Sequence, residues 1–284
     1  PRRSICSARS SRAISAARAL DLRTDPLSGR LVVVAPNRRR RPGAAAGLSE
    51  EPTQAERDEC PFCAGREDRT PPETFRVGDA TAWAVRVVPN LYPAFDRQEV
   101  VVHSPRHARS FADLTDTEVE AVAKAWQARQ DAARAEGFAY VHALVNEGAA
   151  AGSSLPHSHS QLVWLHEPPP AVAHESREQL PELLRDLVVA ERNGMRAAVH
   201  SAGRLPYELL IGGEPFDLAA SLLLLRDMVT RLRALEGPLP WNAWLHENHI
   251  EVVPRLAVLA GVELGAGIYV NTVAPEDAAR LLAR

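Results

Sequence analysis

The hydrophobic pattern of this chain runs through the same order of elements twice, and that repetition constrains the fold more than any single residue does. Residues 83–90 and 99–105 read as strands. Residues 115–136 read as an amphipathic helix opened by a Thr or Asp cap, and residues 140–148 and 161–168 as two further strands. The order then recurs as a strand at 207–213, a helix at 217–235 and strands at 241–247 and 249–256. A strand, helix, strand, turn, strand unit that occurs twice predicts an α+β protein. Its two related halves each hold an antiparallel sheet with packed helices. If the halves are related, the strand at 249–256 takes the place of the strand at 159–165. His249, Glu251 and Val253 then stand where His157, His159 and Gln161 stand.

The segment NEGAAAGSSLPHSHSQ, residues 146–161, is the richest in chemistry. Alternate residues of a strand share a face, so His157, His159 and Gln161 point the same way. Gly148, Gly152, Ser153 and Ser154 just before them form a loop of small residues whose backbone amides can approach a phosphate. A histidine with one ring nitrogen fixed by a hydrogen bond offers the other as a nucleophile. Alternating histidines also suit a metal, and spacing alone leaves both roles open.

A second motif, Cys60-Pro-Phe-Cys63, has the two-residue gap that lets both thiolates reach one zinc ion. A thioredoxin-like redox pair is the rival reading, but no strand runs immediately into the motif and no helix immediately follows it. With Cys6 there are three cysteines, too few and too odd in number for a secreted disulfide framework.

A net charge of −3 gives no global basic field, so nucleic acid is not the expected partner. Lys124 is the only lysine, and the basic charge is otherwise arginine, whose forked donors suit phosphates. No stretch is long and apolar enough to span a membrane, and the cytoplasm is the default location. Residues 1–20 contain no acid and several arginines. They are expected to be a disordered tail, with an organellar transit peptide as the rival reading.

Residues 146–161 resemble the active-site signature of the galactose-1-phosphate uridylyltransferase family, a branch of the histidine-triad superfamily: an asparagine, a Gly/Ala-rich loop, a serine, then His-Pro-His-x-Gln. Ser158 replaces the proline between the histidines, a form seen in relatives that act on other nucleotides. The resemblance extends over roughly residues 21–284. It implies two fused histidine-triad-like halves, with residues 21–170 carrying the knuckle and nucleophile and residues 171–284 forming a scaffold and a wall of the acceptor pocket. It implies His159 as the covalent nucleophile. It places Arg38, Arg41, Asn90, Asn146, Gly152, Ser153, Ser154, Gln161 and Glu263 against substrate. His107 and His157 then join Cys60 and Cys63 around a structural zinc. Some family members hold a second metal, which here would fall near Glu175, His246 and His249.

The expected reaction is nucleotidyl transfer through a nucleotidyl-histidine, first as uridylyl transfer from UDP-glucose to a hexose 1-phosphate such as galactose 1-phosphate. The partners are thus a nucleotide sugar and a sugar phosphate, with a homodimer left open. Leu91 stands where the family has an acid, and Ala257 and Tyr269 stand where it has a lysine and a glutamine. These departures keep open a phosphorylase of the same superfamily, acting on ADP-glucose or a dinucleoside polyphosphate. A hydrolase and a non-catalytic nucleotide-binding module complete the alternatives.

Overall fold

The computed structural model describes residues 21–36 and 52–284. Among them are thirteen strands: β1 (Asp21–Thr24), β2 (Leu31–Val34), β3 (Phe75–Gly78), β4 (Trp83–Pro89), β5 (Gln98–Val102), β6 (Tyr140–Glu147), β7 (His159–Leu165), β8 (Val188–Arg192), β9 (Met195–Val199), β10 (Leu209–Gly212), β11 (Trp241–Leu245), β12 (His249–Pro254) and β13 (Ile268–Asn271). Seven α-helices accompany them: α1 (Gln54–Glu59), α2 (Asp116–Ala135), α3 (Pro170–Ala173), α4 (Leu180–Leu183), α5 (Leu218–Glu236), α6 (Gly261–Ala266) and α7 (Pro275–Leu282).

Ten strands form one antiparallel sheet in the order β3-β4-β5-β7-β6-β11-β12-β10-β9-β8. Outward from the central β6–β11 pair, β6, β7, β5, β4 and β3 on one side match β11, β12, β10, β9 and β8 on the other. In chain order a long helix follows the third strand of each set, α2 between β5 and β6 and α5 between β10 and β11. The strand at 249 therefore takes the same place in its half as the strand at 159 takes in the other. Two five-stranded sets meet as a single sheet because β6 and β11 hydrogen-bond directly, Asn146 facing Asn242 and Leu144 facing Trp244.

Both long helices cover the same face. The α2 cap is a reciprocal box between Thr115 and Glu118, and Asp217 caps α5 through the Ala220 amide. Caps of this kind contribute about 1 kcal/mol each. Val119, Val122 and Trp126 of α2 share one continuous core with Val85, Val101, Ala143, Leu162 and Trp164, and Leu222, Leu225 and Val229 of α5 share it with Ala197, Val199, Leu209 and Ile211. Within β7 the core side is pinned: the Trp126 indole donates to Ser160 Oγ at 2.9 Å. With Ser160, Leu162 and Trp164 committed to the helices, strand alternation sends His159 and Gln161 to the opposite face. A buried Arg129–Glu99 pair bonds at 2.9 and 3.0 Å and ties α2 to β5 beside it.

The structure corrects the predicted alignment of the two halves. His159 pairs with Val102 at the end of β5, and His249 pairs with Gly212 at the end of β10. Gln161 pairs with Leu144, and Glu251 with Trp244, the two residues that face each other at the centre of the sheet. So His249 is the counterpart of His159, and Glu251 the counterpart of Gln161. The expected correspondence was offset by two residues.

Two further departures concern local pairing. β1 and β2, read as part of the first half, pair with each other, and β2 also pairs in parallel with β13 near the carboxyl end. Ahead of Cys60, where no element was predicted, the chain forms α1, capped by Thr53 Oγ1, which accepts from the Glu56 amide.

Candidate active site and metal centre

Residues 148–158 connect β6 to β7 and cross the end of the sheet. Gly148 and Gly152 sit at φ of 85° and 91°, in the region that L-residues with a Cβ rarely adopt. Between them a single turn of Ala149–Ala151 reverses the chain, and the Ser153 amide donates back to the Gly148 carbonyl at 3.2 Å. The loop is fastened below by Glu147, whose buried carboxylate accepts from Ser110 Oγ at 2.6 Å and the Phe111 amide at 2.8 Å. Burial pushes the Glu147 carboxyl above its ordinary range. A cleft of about 460 Å³ opens here, lined by Asn146, Gly148, Ser153, Ser154, His159 and Arg233 among others.

His159 is 8% exposed. Its Nδ1 lies 2.7 Å from the His157 carbonyl, which can only accept, so Nδ1 carries the proton and Nε2 keeps its lone pair. Burial lowers the imidazole's proton affinity, and the carbonyl contact opposes this more weakly. The result is a neutral imidazole with one orientation and one free nitrogen, the form that a nucleophile needs.

The residue between the histidines is held as firmly. The Ser158 amide donates to the Ala108 carbonyl at 2.7 Å, its carbonyl accepts from the His103 amide at 3.3 Å, and its hydroxyl lies 2.9 Å from His103 Nδ1. The segment 103–109 thus cradles residues 157–159. His103, a lone histidine in the stretch 99–105 read as a strand, is fully buried and belongs to this support.

Cys60, Cys63, His107 and His157 converge, with one ligand atom from each within 4.8 Å of all the others. His157 Nδ1 lies 3.4 Å from Cys60 Sγ and 3.7 Å from Cys63 Sγ, and His107 Nδ1 lies 3.3 Å from Cys63 Sγ. Each ring's Nε2 meets a different acceptor: the Ser104 carbonyl at 3.0 Å for His157, and the Glu56 carboxylate at 2.9 Å for His107. Both Nδ1 lone pairs therefore face the thiols. Two thiols and two imidazole nitrogens turned inward are the donor set of a closed tetrahedral zinc site. Burial, with Cys60 alongside, pushes the Cys63 thiol up to about 11, a cost that a bound dication reverses by binding the thiolate. Phe62, between the two cysteines, meets the His157 and His159 rings edge-on at 5.8 and 5.5 Å, so the knuckle also buttresses His159.

The remaining expected substrate residues divide. Gln98 Nε2 donates to Gln161 Oε1 at 2.7 Å, and the Gln98 carbonyl accepts from the Asn90 amide at 2.8 Å. Gln98 thereby joins Asn90 to the His159 face of the sheet. Asn146 is bonded to Asn242, which also donates to the Ala151 carbonyl of the glycine loop at 2.8 Å. Asn242 comes from the second half, and nothing in the local pattern of the sequence marks it. Glu263 does not line the cleft; its carboxylate caps its own helix α6, accepting from the Ala260 amide at 2.8 Å. Arg38 and Arg41 lie outside the described residues.

On the second half, Glu175, His246 and His249 also gather with ligand atoms within 4.8 Å of one another. The two rings stack at 4.3 Å, and Glu175 Oε1 lies 3.4 Å from His246 Nδ1 and 3.3 Å from His249 Nε2. His246 Nδ1, His249 Nε2 and Glu175 Oε2 are buried and make no hydrogen bond among the described residues. Such convergent buried donors fit a metal. The turn from β11 to β12, residues 246–248, leaves no room for a counterpart of the glycine loop.

Comparison with known proteins gives a consistent neighbourhood. Residues 88–169 match the profile described as the galactose-1-phosphate uridyl transferase N-terminal domain. The chain is 27% identical over 326 aligned positions to ADP-glucose phosphorylase of Arabidopsis thaliana, covering 92% of each. It is 30% identical over 244 positions to galactose-1-phosphate uridylyltransferase of Haemophilus influenzae, covering 75% of this chain and 67% of that protein. The crystal structure of an Arabidopsis thaliana ADP-glucose phosphorylase with bound ADP-glucose superposes with a TM-score of 0.81 at 26% identity, covering 94% of this chain and 99% of that one.

Proposed function

This chain belongs to the galactose-1-phosphate uridylyltransferase family of nucleotidyltransferases, and from that premise we propose that it is a phosphorylase, passing an adenylyl group from ADP-glucose to inorganic phosphate through His159. The observation that carries the covalent step is the His159 ring, with Nδ1 locked on the His157 carbonyl and Nε2 free beside the glycine loop.

In the first half-reaction Nε2 attacks the α-phosphorus and an N–P bond forms. The bond from that phosphorus to the bridging oxygen breaks, and glucose 1-phosphate departs with the electron pair. In the second, a phosphate oxygen attacks the same phosphorus, the N–P bond breaks, and ADP leaves with the imidazole restored. Leaving group and acceptor are both phosphates, so the protein's task is placement and charge stabilisation. Ser154 and Gln161 supply donors at this face, beside a glycine loop that the Ser153 amide and hydroxyl hold in shape. Arg38 and Arg41, by the family resemblance, supply cationic ones. Asn90 and Asn146 border the nucleoside side. Cys60, Cys63, His107 and His157 would hold a structural zinc that takes no part in the bond changes and keeps residues 157–159 in place.

The preference for adenylyl transfer to phosphate is supported by full-length similarity to ADP-glucose phosphorylase. Ser158 between the histidines supports it too, as do Ala257 and Tyr269 at the places of the family's sugar-phosphate lysine and glutamine. Uridylyl transfer from UDP-glucose to galactose 1-phosphate is the second reading, favoured by the family match and the relative from Haemophilus influenzae. A matrix of two donors against two acceptors separates them. The phosphorylase reading predicts ADP from ADP-glucose and phosphate at a kcat/KM at least about 100-fold above that for UDP-glucose with galactose 1-phosphate, equivalent to roughly 2.7 kcal/mol of discrimination. The reverse ranking establishes the uridylyltransferase reading instead.

A further inference from the structure

One carboxylate joins the metal centre, the nucleophile's support and the cleft wall without belonging to the ligand set. Glu56 sits on α1, just before the knuckle. Its Oε1 lies 2.9 Å from His107 Nε2 and 3.0 Å from Arg109 Nε. All three side chains are largely shielded from solvent, at 19%, 7% and 18% exposed. The residue between the two partners, Ala108, is the one whose carbonyl receives the Ser158 amide, and Arg109 lines the cleft. Three consecutive residues therefore do three things: His107 faces the thiols, Ala108 holds the strand between His157 and His159, and Arg109 reaches the cleft.

We propose that Glu56 is the positioning residue of this centre: by gripping His107 Nε2–H and Arg109 together, it fixes the ring for metal binding and the 107–109 segment that supports the nucleophile. The proposal rests on the reading that Cys60, Cys63, His107 and His157 bind a metal. A carboxylate on the outer nitrogen of a ligating histidine fixes its tautomer and raises its basicity. His157 has only a backbone carbonyl in that role, so His107 is the ligand whose orientation a single side chain controls. Apart from these two contacts and its place in the first turn, the Glu56 side chain carries little of α1: the helix has no buried residues, and its cap uses the Glu56 backbone rather than the side chain.

The test is metal affinity. Full-length wild type, Glu56→Ala and Glu56→Gln are loaded with Co(II) or Zn(II), the Co(II) absorption spectrum is recorded, and metal is titrated away with a chromogenic chelator. Glu56→Ala should bind about 10- to 100-fold more weakly and shift the Co(II) bands. Glu56→Gln should recover most of that loss, because the amide oxygen still accepts from His107 Nε2–H. A role confined to the stability of α1 predicts a lower melting temperature with unchanged affinity and spectrum, and that result for Glu56→Ala overturns the proposal. Wild-type protein that takes up no metal overturns both the metal reading and this inference. Wild type that binds while Glu56→Ala binds equally well overturns this inference alone.

Discussion

Replacing His159 with glycine removes turnover with every donor, lowering kcat by about 10⁴-fold or more, while melting temperature and metal content stay close to wild type. The size of the loss follows from the site. In the proposed mechanism the His159 imidazole is the nucleophile of the first half-reaction and the leaving group of the second, and no other side chain among the described residues presents a free imidazole nitrogen beside the glycine loop. The fold survives because the core side of β7 is held by Ser160, Leu162 and Trp164, and the metal cluster uses His157. The glycine variant leaves a space the size of the ring. A nucleoside 5′-phosphorimidazolide brings its own imidazole into that space, and phosphate should then release the nucleoside diphosphate from it. Steady-state assays with natural donors and with the imidazolide check both parts. Turnover by His159→Gly within tenfold of wild type refutes covalent catalysis by this residue.

Stripping the metal is the second large effect. Purified protein should hold about one zinc per chain at the Cys60–Cys63–His107–His157 cluster, and Cys60→Ser should abolish it. A metal present at 1,000 times its dissociation constant stabilises the native state by about 4 kcal/mol. At this chain length its loss should lower the melting temperature by roughly 10 °C. Activity should fall by about 100-fold, because Phe62 and the His157 ring no longer hold His159 in place and an ångström of misplacement has that cost. Zinc analysis, calorimetry and a rate assay on wild type, chelator-treated wild type and Cys60→Ser measure the three together. Metal-free wild type with full stability and full rate contradicts the structural role.

What could be read from the sequence is what period and spacing encode. The alternation of His157, His159 and Gln161 defines one strand face, the glycines before them mark a tight turn, and the Cys60–Cys63 gap brings two thiols together. The doubled element order anticipated two halves of like topology, but not that β6 and β11 join them into one ten-stranded sheet or that β3, β8 and β9 extend it. The register between those sets was not legible, and the reason is geometric: a slip of two residues along a strand leaves every side chain on its own face. Alternation therefore fits His249 opposite His157 as well as opposite His159, and only the pairing of β12 with β10 and β11 decides it. The same limit hides Asn242, which reaches the glycine loop from the other half, and the pairing of β2 with β13 across most of the chain. Glu56 and His103 escape for a different reason. A lone Glu in a polar stretch and a lone His after a strand carry no periodic signal, and their roles exist only through partners distant in sequence.

The corrected register also explains why the proposed chemistry falls to the first half. The second half does have a histidine at the place of His159, but His249 stacks on His246 beside Glu175, and Glu251 stands where Gln161 would assist. The short 246–248 turn supplies no phosphate loop. An equivalent position without the loop carries a cluster of metal-type donors instead of an open imidazole.

The central claim is a covalent nucleotidyl-histidine, and intact-protein mass spectrometry tests it most directly. Wild-type protein mixed with ADP-glucose in the absence of phosphate should gain the mass of one AMP moiety, mapped to the peptide containing His159 and lost on adding phosphate with release of ADP. The adduct should be acid-labile and base-stable, as a phosphoramidate is, and absent from His159→Gly. If wild type instead turns over its donor while no adduct forms on any residue, or if the adduct maps elsewhere and persists in His159→Gly, the account is wrong at its centre.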